Sequence, residues 1–261
     1  MTCKDNSITY LKNSGYSVVR VPKEDIQPLQ IFINEKGILK PLGDLSTILK
    51  QGEVALPQVQ KDKPVAGISG TRSSDLSAGI ALSILGSIVG AMGGSKLGLE
   101  GKYEKAKSIS FEFSDVYEDS ISIANLDQYL ADADVNPLSR YVADLLEADE
   151  IYLTTATIKT NKINIDGKEK SNASLTVDIP EIQKVIGGNI NVKAAGGKTN
   201  QVTFEGKIAL VFGFQAIQLV YEDGRYKTFK HLKAGEGAVS GFGDEQPKYL
   251  SQEGAFVKLA V

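Results

Sequence analysis

Residues 154–179 read TTATIKTNKINIDGKEKSNASLTVDI, and this stretch decides the fold class. Two strand-like arms, Thr154 to Ile165 and Ala173 to Ile179, flank Asp166-Gly167, a dipeptide suited to the tight turn of a hairpin. Along the second arm Ala173, Leu175, Val177 and Ile179 alternate with Ser174, Thr176 and Asp178, the period of a strand with one buried face. Just beyond, Pro180-Glu181 opens a short helix to about Ile186, which Gly187-Gly188 ends. Val202 to Tyr221 predicts a long strand whose centre, Ile208 to Phe212, is apolar on both faces and therefore expected inside a sheet. Tyr226 to His231 adds one more short strand.

On the N-terminal side the β character continues. Ile109, Phe111 and Phe113 alternate with Ser108, Ser110, Glu112 and Ser114, and Ile121 and Ile123 prolong the alternation. Asp127 to Glu150 is acidic and helix-like, with Leu138, Tyr141, Val142, Leu145 and Leu146 on one face after Pro137. Leu11, Tyr16, Val18, Val19 and Val21 lead into Pro22, where a strand is expected to end. Ile31-Phe32-Ile33 before Asn34-Glu35-Lys36-Gly37 reads as a strand entering a turn. Leu39, Leu42, Leu45, Ile48 and Leu49 recur at helical spacing.

Residues 76–95, LSAGIALSILGSIVGAMGGS, carry no charge between Asp75 and Lys96. A helix there lines up Leu76, Ile80, Ile84, Ile88 and Met92, flanked by Leu85 and Val89, with Gly79, Ser83, Gly86, Gly90 and Ala91 opposite. At about 1.5 Å per residue, its length matches a bilayer core of roughly 30 Å. The glycines argue against a membrane helix, each costing up to ~1 kcal/mol relative to alanine. The expectation is a helix packed on protein, its small face allowing close approach.

Among 261 residues, 29 basic and 32 acidic side chains leave a net charge of −3. That balance argues against a nucleic-acid partner, and the lack of a long basic run argues against a polybasic membrane anchor. The single cysteine, Cys3, excludes an internal disulfide and cysteine-rich zinc sites, and the single histidine is His231. Nucleophilic catalysis needs a nucleophile held by a base. A hydrolase built on His231 is the enzyme alternative; the stronger expectation is no enzyme, no metal and no cofactor. Asp115/Glu118/Asp119, Asp132/Asp134 and Asp144/Glu147/Asp149/Glu150 read as solvated faces, and the glycine pairs lack the context of a phosphate loop.

The opening MTCKDNS lacks the apolar region of a secretory signal and the apolar stretch before a lipoprotein cysteine. Thr2 stands where N-myristoylation needs a glycine. These residues predict a chain made and kept in the cytoplasm. Cys3 by itself is either a small residue at a frayed end or an S-acylation site. After Lys233, residues 234–250 (AGEGAVSGFGDEQPKYL) read as an exposed, cuttable connection. The closing SQEGAFVKLAV turns apolar again and is expected to dock back. A non-enzymatic β-rich module that recruits a protein partner through this tail is the alternative function.

Residues 3–29, CKDNSITYLKNSGYSVVRVPKEDIQPL, resemble the opening of the bacterial gasdermins. The matching features are Cys3, Tyr10-Leu11-Lys12, Gly15-Tyr16, Val18-Val19-Arg20-Val21-Pro22, Asp25-Ile26 and Pro28-Leu29. The resemblance implies an α+β fold, a twisted and mostly antiparallel sheet with surrounding helices. It implies a pore-forming domain over 1–235, an exposed linker over 236–250 and a short autoinhibitory tail over 251–261. An activating protease, encoded nearby, would cut the linker between Gly241 and Ser251, with Leu250 or Tyr249 before the cut. The freed domain would then oligomerise with membrane lipids into a large β-barrel pore at the inner membrane and kill the host cell as antiphage defence. Uncut, the protein would be a cytoplasmic monomer.

Cys3 would carry a palmitoyl group adding about 10 kcal/mol of membrane or groove affinity. The tail's apolar residues, Ala255 to Val257 and Leu259 to Val261, would bury enough surface for about 5–10 kcal/mol before entropy. Lys107 to Ile123 and Thr154 to Ile179 have the alternation of barrel strands, with Asp166-Gly167 as the crossing tip. Ser69 to Glu100 would be remodelled from helix into strand, its glycines lowering the cost of melting.

Overall fold

A computed structural model of the chain describes residues 16–23, 26–35, 38–66, 68–70, 75–95, 97–138, 140–169, 171, 173–195 and 198–231. Its elements, in chain order, begin with β1 (Ser17–Lys23), β2 (Gln30–Glu35), β3 (Ile38–Asp44), α1 (Leu45–Ile48), β4 (Leu49–Lys50) and β5 (Gln60–Pro64). There follow β6 (Leu76–Ser77), α2 (Ala78–Ala91), α3 (Leu99–Lys102), β7 (Ala106–Ser114), β8 (Tyr117–Ser120), α4 (Ile123–Asp132) and β9 (Asp134–Val135). The remainder is α5 (Arg140–Glu147), β10 (Ile151–Glu169), α6 (Ile179–Ile186), β11 (Ile190–Ala195), β12 (Lys198–Glu222) and β13 (Arg225–His231).

Eleven of these strands form one sheet, and β4 pairs separately with β9. The 19-residue β10 and 25-residue β12 run antiparallel down its centre, paired from Tyr152↔Gln218 to Asp166↔Gln201 across three register shifts. Shorter strands flank this spine in three tiers. At the top β3 and β2 lie beside β10, and β13 beside β12. In the middle β5 and β8 lie beside β10, and β1 beside β12. At the bottom β6 and β7 lie beside β10, and β11 beside β12. Every pairing is antiparallel, so the expected α+β architecture is borne out.

Two apolar clusters sit at the ends of the spine. At the top α1, α4 and α5 bury Leu45, Leu126, Tyr129, Leu145 and Leu146 against Ile151, Leu153, Ile217 and Leu219. At the bottom α2 and α6 bury Leu85, Ile88, Met92, Ile182 and Ile186 against Ile109, Ile163, Ile165 and Phe204. Local signals explain where α6 starts and stops. Asp178 Oδ1 accepts from Glu181 N at 3.1 Å, Pro180 occupies the first turn, and Gly187 takes the left-handed φ of 93° that closes the helix. Among the described residues, no helix is long and apolar enough to cross a membrane.

Several sequence expectations are corrected. Asp166-Gly167 is not a turn: Asp166 pairs with Gln201 on one side and Ser110 on the other. The chain folds back only after Glu169, whose N–H donates to Ala173 O at 2.8 Å, and Leu175 N returns to Gly167 O at 2.8 Å. Gly167 serves packing, since a Cβ there would sit 2.9 Å from Leu175 Cδ2. Ala173 to Ile179 is accordingly no ladder strand, keeping only the isolated bridge Ser174↔Lys168.

Leu39 to Leu49 is not a helix either, because residues 38–44 pair with β2 and only Leu45–Ile48 closes a turn. Pro41 lacks the N–H a helix needs, and Gly43 takes φ 148°. β1 continues through Pro22 to Lys23; its ladder to β12 already slips between Val18 and Lys23, where a missing donor interrupts little. The β7–β8 alternation stops at Ser120, and Ile123 begins α4 under a Ser122 cap, whose Oγ accepts from Asn125 N at 3.3 Å.

Asp127 to Glu150 is two helices, interrupted where Asp134 and Val135 pair with β4. The interruption turns the second helix, so Leu138 and Tyr141 are 90% and 60% exposed while Val142, Leu145 and Leu146 are buried. Ile208 is 39% exposed, and the fully buried run begins at Leu210.

Candidate functional site

The bottom tier, β7–β10–β12–β11, is a four-strand patch with two chemically opposite faces. Its register stacks Phe113, Ile163, Phe204 and Val192 in one row, and Phe111, Ile165, Val202 and Ala194 in the next. These side chains belong to the bottom cluster beneath α2 and α6, apart from Phe113, which is half-buried and packs against it, and Ala194, which is half-buried. The intervening rows point the other way and are polar: Glu112, Asn164, Thr203 and Lys193, then Ser110, Asp166 and Gln201. Alternation at period two puts every second residue on each face, and four strands in register make the faces continuous.

The polar face is a cross-strand hydrogen-bond lattice. Asn164 Nδ2 donates to Glu112 Oε1 at 3.2 Å and Ser114 Oγ at 2.9 Å, while Thr203 Oγ1 donates to Asn164 Oδ1 at 2.7 Å. Gln201 Nε2 donates to Asp166 Oδ2 at 3.3 Å. Lys193 pairs with Glu205 at 2.6 Å, Lys162 with Asp115 at 2.8 Å, and Lys168 with Asp75 at 2.6 Å. Asp115, by hydrogen bonding to Lys162, is the main reason the ammonium's pKa stands above the ordinary lysine range. Glu112, Ser114, Lys162, Asn164, Lys193 and Thr203 line an open depression on this face.

The apolar face is roofed. α2 lays Ala81, Leu85, Ile88, Val89 and Met92 on it, and α6 adds Ile182 and Ile186. The expected stripe of α2 is thereby rotated, and the small face is divided: Gly79 and Gly90 are exposed, with nothing within 4 Å of a Cβ at either, while Gly86 between them is buried. A close approach lies past the helix end, where a Cβ at Gly206 of β12 would come within 3.0–3.1 Å of Met92.

Of the residues singled out from sequence, Cys3, Tyr249 and Leu250 lie outside the described residues, as do the linker 236–250 and the tail 251–261. His231 ends β13 on the surface with its ring edge-on to Phe229 at 5.4 Å, a packing contact rather than a catalytic pair. Among the described residues, no three His, Cys, Asp or Glu side chains group closely enough to hold a metal ion. The Asp115/Glu118/Asp119 group is not simply solvated. Asp119 and Asp62 share Lys159 at 2.6 and 2.9 Å, and Tyr16 Oη donates to Glu118. Sequence reasoning missed Gln183 and Asn189, which fasten the roof; only an amide side chain next to a helix stop marks them.

Comparison with known proteins agrees with this architecture. Residues 19–225 match the model of the Bacterial Gasdermin Family. A curated relative, the gasdermin bGSDM of a Desulfuromonadales bacterium, is 45% identical, with 99% of each chain covered. That of Lysobacter enzymogenes is 39% identical, with 96% of each covered. The solved structure of a bacterial gasdermin from Bradyrhizobium tropiciagri shares the fold at a TM-score of 0.62 and 18% identity, covering 87% of this chain and 92% of that one. A family match through all three tiers, joined to 45% identity end to end, means that this chain belongs to the bacterial gasdermin family and is a pore-forming gasdermin.

Proposed function

We propose that this is a latent pore former whose bottom tier supplies the barrel wall after proteolytic release. The supporting observation is the four-strand patch itself, one face apolar and one face a polar lattice. A closed barrel in lipid needs every backbone group paired between strands, apolar side chains outward and polar side chains toward the water-filled lumen. Here that division exists already, with the apolar face covered by α2 and α6. Insertion then requires removing the cover and lengthening the strands, rather than re-sorting side chains between faces.

In this reading an activating protease cuts the linker 236–250, with Leu250 or Tyr249 before the cut, and the tail 251–261 dissociates. A palmitoyl group on Cys3 draws the freed domain to lipid. Copies that were monomers in the cytoplasm assemble at the inner membrane, and the host cell dies as a defence against phage. The protein performs no catalysis and needs no cofactor.

The experiment is to fold the full chain with a site-specific protease sequence replacing residues 244–250 and to add it to dye-filled liposomes. Before cutting it is expected to stay monomeric and release no dye. After cutting it is expected to release dye and to form rings visible by electron microscopy. A cut chain that stays monomeric, with α2 still helical and the vesicles intact, would be a binding module instead.

A further inference from the structure

The roof over the bottom tier consists of two segments distant in sequence, 78–102 and 179–189, and they are fastened to each other. The key side chain is Gln183, in the middle of α6. Its Nε2 donates to Ile190 O at 2.9 Å and Gly187 O at 2.8 Å, and its Oε1 accepts from Val192 N at 2.8 Å. β11 pairs with β12 alone among the described strands, through the register Ile190↔Gly206 to Ala195↔Lys198. Donating to one residue and accepting from the residue two further on is what a parallel neighbouring strand does. One amide therefore occupies the open edge of β11 where a further strand would add.

From the same end of α6 the ties run to the other segment. Ser95 N donates to Ile186 O at 2.9 Å, and Asn189 Nδ2 donates to Gly93 O at 3.0 Å. Lys102 Nζ meets Glu181 Oε2 at 3.0 Å. The two segments also touch without space between them, since a Cβ at Gly94 would lie 2.9 Å from Ile186 Cγ2. Lifting α6 alone would unpair Gly93 O and Ser95 N, and lifting α2 alone would unpair the same groups from the other side. Each segment's departure thus strips the other of partners, which is the condition for joint opening.

We propose that the two segments are one latch, pinned by Gln183 and Asn189, and that they leave the sheet together. The latch is a property of the soluble chain; only its consequence, that opening bares the apolar face for lipid, rests on the pore-forming reading above.

Hydrogen exchange of the full-length protein tests the latch without membranes. In Gln183→Leu, amides of 190–195 are expected to exchange about tenfold faster, and those of 78–95 to follow by a similar factor. Loosening confined to 179–195 overturns the proposal. Asn189→Ala, which loses only the bond to Gly93 O, is the milder variant should Gln183→Leu fail to fold. It is expected to loosen both segments by a smaller common factor, and loosening of one alone again overturns the idea.

A reversible lock supplies the second arm. A Cβ at Gly93 would lie 3.9 Å from Asn189 Cβ, within the span of a disulfide. Gly93→Cys/Asn189→Cys is introduced into the full chain with the cleavable linker, oxidised, and cut beside dye-filled liposomes; the reduced form controls for any strain at position 93. Segments that leave together should release dye equally in both redox states, whereas release only after reductant is added would mean that the two must part, which overturns the latch. If the cut wild-type chain releases no dye at all, the pore-forming reading fails, and the exchange data still decide the latch.

Discussion

At the scale of single residues, the charged node on β10 offers the clearest test. Lys159 Nζ meets Asp119 Oδ2 at 2.6 Å and Asp62 Oδ1 at 2.9 Å, while Asp62 N donates to Asp119 Oδ1 at 2.8 Å. Burial disfavours the ammonium, but hydrogen bonds and the field of both carboxylates outweigh it and hold the pKa above the ordinary lysine value. Lys159→Met would strand a carboxylate whose side chain is 11% exposed and should cost about 3 kcal/mol by urea denaturation. Asp62→Ala, at a side chain 67% exposed, should cost less than ~1 kcal/mol. Equal losses in the two variants would refute the asymmetry.

The tyrosines set the alkaline limit. Burial, the largest cause in each case, raises the phenols of Tyr16, Tyr103, Tyr129, Tyr221 and Tyr226 above their ordinary value of 10.0. A folded pKa above the unfolded one means stability is complete below the unfolded value and declines as pH rises toward the folded value. Lys159 works in the same direction. Above about pH 10, the deeply buried Tyr103 and Tyr221 should each remove about 1.4 kcal/mol per pH unit. Tyrosinate absorbance and far-UV circular dichroism should therefore change together on alkaline titration. Ionisation of these phenols near pH 10 with the fold intact would contradict the assignment. None of this was legible in the sequence, where Lys159 is one lysine among many and its carboxylate partners lie far upstream.

At the scale of elements, α2 shows what periodicity can and cannot decide. The uncharged run announced a helix, and a helix formed over Ala78–Ala91. Which face would pack was not decidable, because a segment apolar nearly all round has no strong preference of its own. The sheet surface chose Ala81, Leu85, Ile88, Val89 and Met92, leaving Gly79 and Gly90 outward with open space around them. Gly79→Ala and Gly90→Ala should each stabilise the resting protein by about 0.5–1 kcal/mol, read as a higher melting temperature. In the pore-forming reading the same pair should slow dye release after cutting. On the packed face, Leu85→Ala should cost about 2–5 kcal/mol, and Gly206→Ala, which drives a methyl against Met92, about 1–3 kcal/mol.

At the scale of the whole molecule, the three-tier spine predicts a hierarchy of stability. Residues 156–165 of β10 and 203–214 of β12 have strands on both sides for most of their length, so their amides should exchange only on global unfolding. The roofing segments should open at lower free energy, in a separate step that exposes less surface and so depends less steeply on denaturant. Exchange at 78–95 as slow as at 156–165 would mean that the roof is part of the global core.

Local sequence was sufficient for much of this. It marked β2, β7 and β13, it placed α6 between Pro180 and Gly187, and the opening residues pointed to the family. Those features rest on interactions within a few residues, such as alternation, a capping carboxylate and a glycine with positive φ. Tertiary structure decided what depends on partners far along the chain. Asp166-Gly167 carries a strong turn signal, yet lies inside a ladder because Ser110 and Gln201 flank Asp166 and extend the spine on both sides. Residues 38–44 have helical spacing, yet pair with β2. The amphipathic patch itself arises only when four strands come into register, and the amide that closes its edge acts across a turn that no periodicity describes. Backbone hydrogen bonds to distant strands, satisfied on both sides, outweighed the local preference of a dipeptide or a spacing.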